Sequence, residues 1–193
     1  MRHETGKRFH ALQHFRRMNI GVFCSANNQI DAAYFRAADA LGRWMAENGH
    51  ALVYGGCNLG LMEAIGRAVH DHGGTTIGVI PRIIEKTGRL SDAVSVNIAC
   101  EDLTDRKQII MDRSDVFVAL PGGIGTLDEI FTVAASHTIG YHRKKLYLLN
   151  INGFYDALTA TLDDLGRRGM IRGRWQDYIE SINTLSELQE KLA

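Results

Sequence analysis

The run Val116-Phe117-Val118-Ala119-Leu120 passes without a break into Pro121-Gly122-Gly123-Ile124-Gly125-Thr126-Leu127-Asp128-Glu129, and this stretch decides the fold. The apolar run reads as a buried strand, and the residues after it, Ile130-Phe131 and Val133-Ala134, have helical spacing. A strand therefore meets a glycine-rich turn and then a helix N-terminus. The first N–H groups of a helix have no intrahelical partner, and the helix dipole favours an anion there. Glycines allow close approach of the backbone to a phosphate, and the Thr126 hydroxyl adds a further donor. Asp128 and Glu129 follow about one turn further in, so the pattern pairs a phosphate cradle with a carboxylate. A second reading of the same residues is structural: Thr126 caps the helix and Glu129, three residues on, completes a capping box. That reading leaves the crowding of glycines in the turn unexplained.

Working outward, β-branched strands alternate with longer helical runs. Strands are expected at 20–24, 51–54, 76–80, 94–98, before the PGG turn, and at 145–150. Helices are expected at 31–47, closed by Asn48-Gly49, at about 61–72, around Arg106 and Lys107, after the PGG turn, and through much of the C-terminal part. Near-continuous apolar strands alternating with amphipathic helices imply an α/β fold: a doubly wound, Rossmann-like parallel sheet with helices on both faces. Ligands of such sheets sit at the carboxyl ends of the strands. The Ser25 turn, the loop Tyr54-Gly55-Gly56-Cys57-Asn58-Leu59-Gly60-Leu61-Met62 and the PGG turn all fall at such ends.

The remaining composition narrows the function. Lysine plus arginine equals aspartate plus glutamate, 22 of each, so no general pull toward nucleic acid or a membrane surface is expected. No apolar stretch is long enough to span a bilayer. Cys24, Cys57 and Cys100 are odd in number and widely spaced, which fits reduced thiols and a cytoplasmic location. Cys57 is expected to be a small buried residue. His70 and His72, two apart on a helix, do not share a face, and no metal site is expected. Neither GxGxxG nor a GKS/T loop is present, and no cofactor is implied. Residues 1–18 read as an N-terminal extension, a short surface helix or a frayed segment, and 19–193 as a single domain.

The motifs carry a family resemblance. PGGIGTLDE at 121–129 resembles the PGGxGTxxE signature of the Lonely Guy (LOG) family, the cytokinin riboside 5′-monophosphate phosphoribohydrolases. Arg106-Lys107, in DRKQIIMDRSD, resembles that family's RK pair, and YGGCNLGLM resembles its YGGGxxGLMG. The similarity runs from about Asn19 to the C-terminus. Cys57 replaces a glycine, Glu63 another, and Ser136 and Thr138 a tryptophan and a glutamine. Gly88 stands near a substrate-contacting glutamate of relatives, with Glu85 the nearest acid. The resemblance implies a dimer and a nucleoside 5′-monophosphate substrate, AMP or an N6-modified AMP. It implies Arg106 and Glu129 as catalytic residues, with Arg106 holding Glu129 or the substrate. It implies Ser25, Gly56, Met62, Lys107, Gly122, Gly123, Gly125, Thr126 and Asp128 as nucleotide-binding. The apolar residues Phe131, Val133, Ala134 and Ile139 add a physical reason for pairing, since they spread over more than one helix face.

Two other functions share the pattern. One is a non-enzymatic nucleotide or molybdenum-cofactor carrier, since fold does not fix function. The other is amino-acid decarboxylation, a label often attached to this family. It needs a lysine for a Schiff base with pyridoxal phosphate, and only Lys107 stands near a site motif.

Overall fold

The computed structural model describes residues 17–85 and 87–192, with the side chains of 84 and 85 outside the description. The N-terminal extension expected at 1–18 lies outside the described residues except for Arg17 and Met18. So does the side chain of Glu85.

Seven parallel strands form one sheet among the described residues: β1 (Asn19–Phe23), β2 (Ala51–Tyr54), β3 (Thr75–Pro81), β4 (Val96–Cys100), β5 (Val116–Ala119), β6 (Leu146–Leu149) and β7 (Ile179–Ile182). Their spatial order is β4-β3-β2-β1-β5-β6-β7. The helices are α1 (Ala32–Glu47), α2 (Gly60–Asp71), the single turn α3 (Arg82–Glu85), α4 (Leu103–Arg113), α5 (Ile124–Thr138), α6 (Asp156–Arg167) and α7 (Leu185–Leu192). The doubly wound Rossmann-like sheet expected from the sequence is the fold observed.

Strand alternation explains why both faces are covered. Along β5, Val116 and Val118 join one core with Ile20, Leu41 and Ile65, while Phe117 and Ala119 join the other with Ile110 and Ile130. Helices α1, α2 and α7 cover the first face, and α4, α5 and α6 the second. Phe23 and Phe117 stack across neighbouring strands, 5.7 Å between ring centres. Each fully buried Leu or Ile in these cores contributes about 1.5–3 kcal/mol. Helix α1 starts where Asp31 accepts from the Ala33 N–H at 2.8 Å, a side-chain N-cap.

Two expectations are corrected. β7 is a strand in the C-terminal part, where helices were expected. β4 begins two residues later than expected, because the Thr76 hydroxyl accepts from the Ser95 N–H at 2.7 Å and holds the chain just before the ladder begins.

Candidate active site

The strand order reverses between β1 and β5, so the loops leaving their carboxyl ends diverge and open a crevice. Three segments meet there. The Ser25 N–H donates to the Pro121 carbonyl at 3.2 Å, and the Leu61 N–H donates to the Ser25 carbonyl at 2.8 Å. Gly60 makes the second contact possible. Its φ is +58°, and a Cβ there would stand within 2.7 Å of the Ala26–Asn27 backbone. The resulting cavity holds about 330 Å³ and is lined by Cys24, Ser25, Met62, Arg106, Gly123, Gly125, Thr126 and Glu129, with Ala26 and Asn27.

Helix α5 begins without a side-chain cap. Gly123 is its N-cap residue and no side chain bonds the first-turn N–H groups. The capping box that the sequence allowed does not form. Thr126 is already the third helical residue, and its buried side chain lies against Gly122, where any Cβ would collide with the hydroxyl. The uncapped end therefore adjoins the cavity, with Gly123, Gly125 and Thr126 in the wall. Such an end attracts a phosphate.

Glu129 lies on the cavity side of α5, half-buried. Burial is the largest influence on its carboxyl, and the Asp128 charge adds to it. Arg106 and Lys107 act in the opposite sense. The net result is a pKa pushed up to about 7. A carboxyl poised there can hold or accept a proton at neutral pH. Arg106 reaches the same cavity from α4. A Cβ on Gly55 would overlap its guanidinium, so the first glycine loop makes room for this side chain. Its Nε is buried without a hydrogen-bond partner among the described residues, and no ion pair joins it to Glu129. Burial pushes the neighbouring Cys24 thiol well up, which keeps it protonated.

The other expected site residues sit elsewhere. Lys107 binds Asp128, Nζ to the two carboxylate oxygens at 2.9 and 2.8 Å, and neither lines the cavity. Neighbours on a helix point about 100° apart, so the residues beside Arg106 and Glu129 turn away from the crevice and meet each other. Gly56 backs onto Ile80 and also lies off the cavity. Gly122 borders a smaller adjoining pocket with Ile30, Tyr34 and Phe154. Cys57 is half-buried rather than buried. Cys24, Ala26 and Asn27 line the cavity although the sequence reading did not single them out as site residues. Their signal was position, at the carboxyl end of β1.

A family model described as "Possible lysine decarboxylase" matches residues 62–192. A probable cytokinin riboside 5′-monophosphate phosphoribohydrolase of Arabidopsis thaliana is 37% identical over 193 residues, covering 100% of this chain and 96% of that protein. A cytokinin riboside 5′-monophosphate phosphoribohydrolase of Oryza sativa is 38% identical over 178 residues, 92% of this chain and 73% of that one. The chain belongs to the LOG family. Among solved structures, the molybdenum cofactor binding protein of Rippkaea orientalis has a TM-score of 0.71 at 24% identity, over 92% of this chain and 96% of that one. The molybdenum cofactor carrier protein of Chlamydomonas reinhardtii has 0.70 at 24% identity, over 92% and 98%. At that identity the likeness shows the fold alone.

Proposed function

We propose that this chain hydrolyses the N-glycosidic bond of a nucleoside 5′-monophosphate, AMP or an N6-modified AMP, to free base and ribose 5-phosphate. One observation carries the reading: a carboxyl with a pKa of about 7 and an uncapped helix end lie on the same helix and in the same cavity. The 5′-phosphate binds the first turn of α5 at Gly123, Gly125 and Thr126. That contact does not react, so its binding energy orients the bond to be cut. Bond breaking places positive charge on the ribose ring. Ionised Glu129 stabilises that charge and takes a proton from the attacking water, whose oxygen joins C1′. The departing base receives a proton in exchange. Arg106 favours the ionised form of Glu129 and offers its Nε, which has no partner among the described residues, to the substrate.

Decarboxylation fits the residues poorly. No described lysine lines the cavity, and Lys107 is engaged by Asp128 at 2.8 Å. The Schiff base that pyridoxal phosphate requires finds no free amine among the described residues of the cavity. A carrier would bind nucleotide tightly and release no base. Incubating the purified chain with AMP and separating adenine from nucleotide decides between these: adenine and ribose 5-phosphate in equal amounts are expected, and bound but intact AMP overturns the hydrolase reading.

The proposal extends to assembly. Val133 and Ala134 proved to be core residues, but Ile124, Phe131 and Ile139 on the same helix are 84%, 44% and 66% exposed. The end of this apolar strip nearest the cavity, Ile124 and Phe131, supports a homodimer with its site near the interface. Residues 19–193 act as one catalytic domain, and three free cysteines suit a cytoplasmic setting. No described helix is long and apolar enough to cross a membrane.

A further inference from the structure

A second concavity lies at the other end of the sheet. It holds about 570 Å³ and is walled by the last turn of α5, the segment before β6 and the loop between α6 and β7. The chain from the last turn of α6 into that loop reads Gly166-Arg167-Arg168-Gly169-Met170-Ile171-Arg172-Gly173-Arg174, four arginines with no acid among them, and Asp177 follows before β7. Its glycines Gly169 and Gly173 have φ near +73° and +74°, so the loop doubles back through turns that other residues rarely adopt. Arg167 and Arg168 pair with Asp164 on α6. Arg172 and Arg174 face the concavity with Arg143, and none of these three takes part in an ion pair among the described residues.

Three guanidiniums thus meet one carboxylate, Asp177, across the wall. The C-terminal end of α5 opposes them with roughly half an elementary negative charge. Its carbonyls are already answered, however: Gly140 N–H donates to His137 O and Tyr141 N–H to Ser136 O, both at 3.0 Å. The positive charge prevails locally. Burial first, then the charges of Arg143 and Lys145, hold the His137 imidazole below its ordinary pKa against the pull of Asp177. Met170, Ile139 and the ring of Tyr178, stacked on His137 with 5.2 Å between ring centres, supply an apolar wall. Arginine forks bind phosphate oxygens in pairs, and a flat apolar wall suits an organic ring or chain.

We infer that this concavity is a second binding site, separate from the catalytic one, for a phosphorylated small molecule carrying diphosphate-type charge. Helix α5 joins the two sites. Its first turn walls the catalytic cavity and its last turn this one, about 22 Å apart at 1.5 Å per residue. The inference does not depend on the reaction proposed above.

A local reporter is built in. Trp175 follows Arg174, is 7% exposed and donates its indole N–H to Asp163 at 2.8 Å. The other tryptophan, Trp44, lies on α1 and is removed by Trp44→Phe. Titrating that variant with inorganic pyrophosphate should give a saturable change in Trp175 fluorescence. Adding Arg172→Ala and Arg174→Ala should weaken it at least tenfold while leaving the protein's AMP turnover unchanged. Adding Thr126→Val instead should leave the titration unchanged. The inference is overturned if no saturable change occurs, if the arginine variants titrate like the parent, or if Thr126→Val weakens the response, which would assign the anion to the catalytic turn.

Discussion

Two helices begin at the same end of the sheet, and their first turns are built in opposite ways. In α4, Asp102 caps the helix, its carboxylate accepting from the N–H groups of Thr104 and Asp105 at 2.8 and 2.9 Å. The anion that this helix end attracts is part of the chain. In α5, Gly123 occupies the cap position and offers nothing. The anion must come from outside. The closed helix carries Arg106 to the crevice, and the open one carries Glu129. A stabilised end and a functional end are thus the same structure with one side chain changed.

The largest expected effect lies at the functional group on the open helix. Glu129→Gln keeps the size of the side chain and removes its charge. AMP hydrolysis should fall by roughly 10²–10⁴-fold, the scale of general acid–base catalysis, with AMP affinity within about tenfold by calorimetry. Near wild-type turnover would show that Glu129 is only a helix residue. The wild type should also become more active as pH rises through about 7, where Glu129 ionises. Stability runs the other way. The folded pKa lies above the unfolded value near 4.5, so the contribution is complete below 4.5 and is lost as pH rises through about 7. Denaturation across that window should show the loss in the wild type, and less of it in Glu129→Gln.

The comparison can be broken by making the open end resemble the closed one. Gly123 has φ −91° and ψ −150°, and a Cβ there meets nothing within 4 Å. Gly123→Asp should cap α5 from within. Losing two hydrogen bonds to a charged phosphate costs about 3 kcal/mol or more, so AMP affinity should drop about 100-fold. Thermal stability should rise, not fall. A variant that binds AMP normally would place the phosphate elsewhere.

The smallest effect belongs to the closed end. Asp102→Ala should cost about 1 kcal/mol of stability, seen as a fall of roughly 2–4 °C in Tm for a chain of this length.

How far the sequence reveals all this depends on the kind of signal. The apolar run 116–120 and the glycines after it announced the central strand and the site, because both faces of β5 are buried and every residue must show it. Arg106 and Glu129 were named through the family resemblance, and both line the cavity. Lys107 and Asp128 stand outside the cavity because adjacency in sequence is divergence on a helix, and their ion pair spans 21 positions. β7 was hidden because Ile179-Glu180-Ser181-Ile182 is a four-residue edge strand with only its end residues buried, too brief to establish a period. The missing cap on α5 was open to two readings, since Thr126 and Glu129 stand at capping-box spacing. Only the position of the helix start separates them.

The central claim is that the uncapped end of α5 fixes the 5′-phosphate so that Glu129 can act on the glycosidic bond. The ratio of kcat/KM for AMP to that for adenosine tests it most directly, measured by release of adenine in the wild type and in Gly123→Asp. The account predicts rapid cleavage of AMP, barely detectable cleavage of adenosine, and a collapse of the ratio when α5 is capped. Equal rates on AMP and adenosine in the wild type would contradict it.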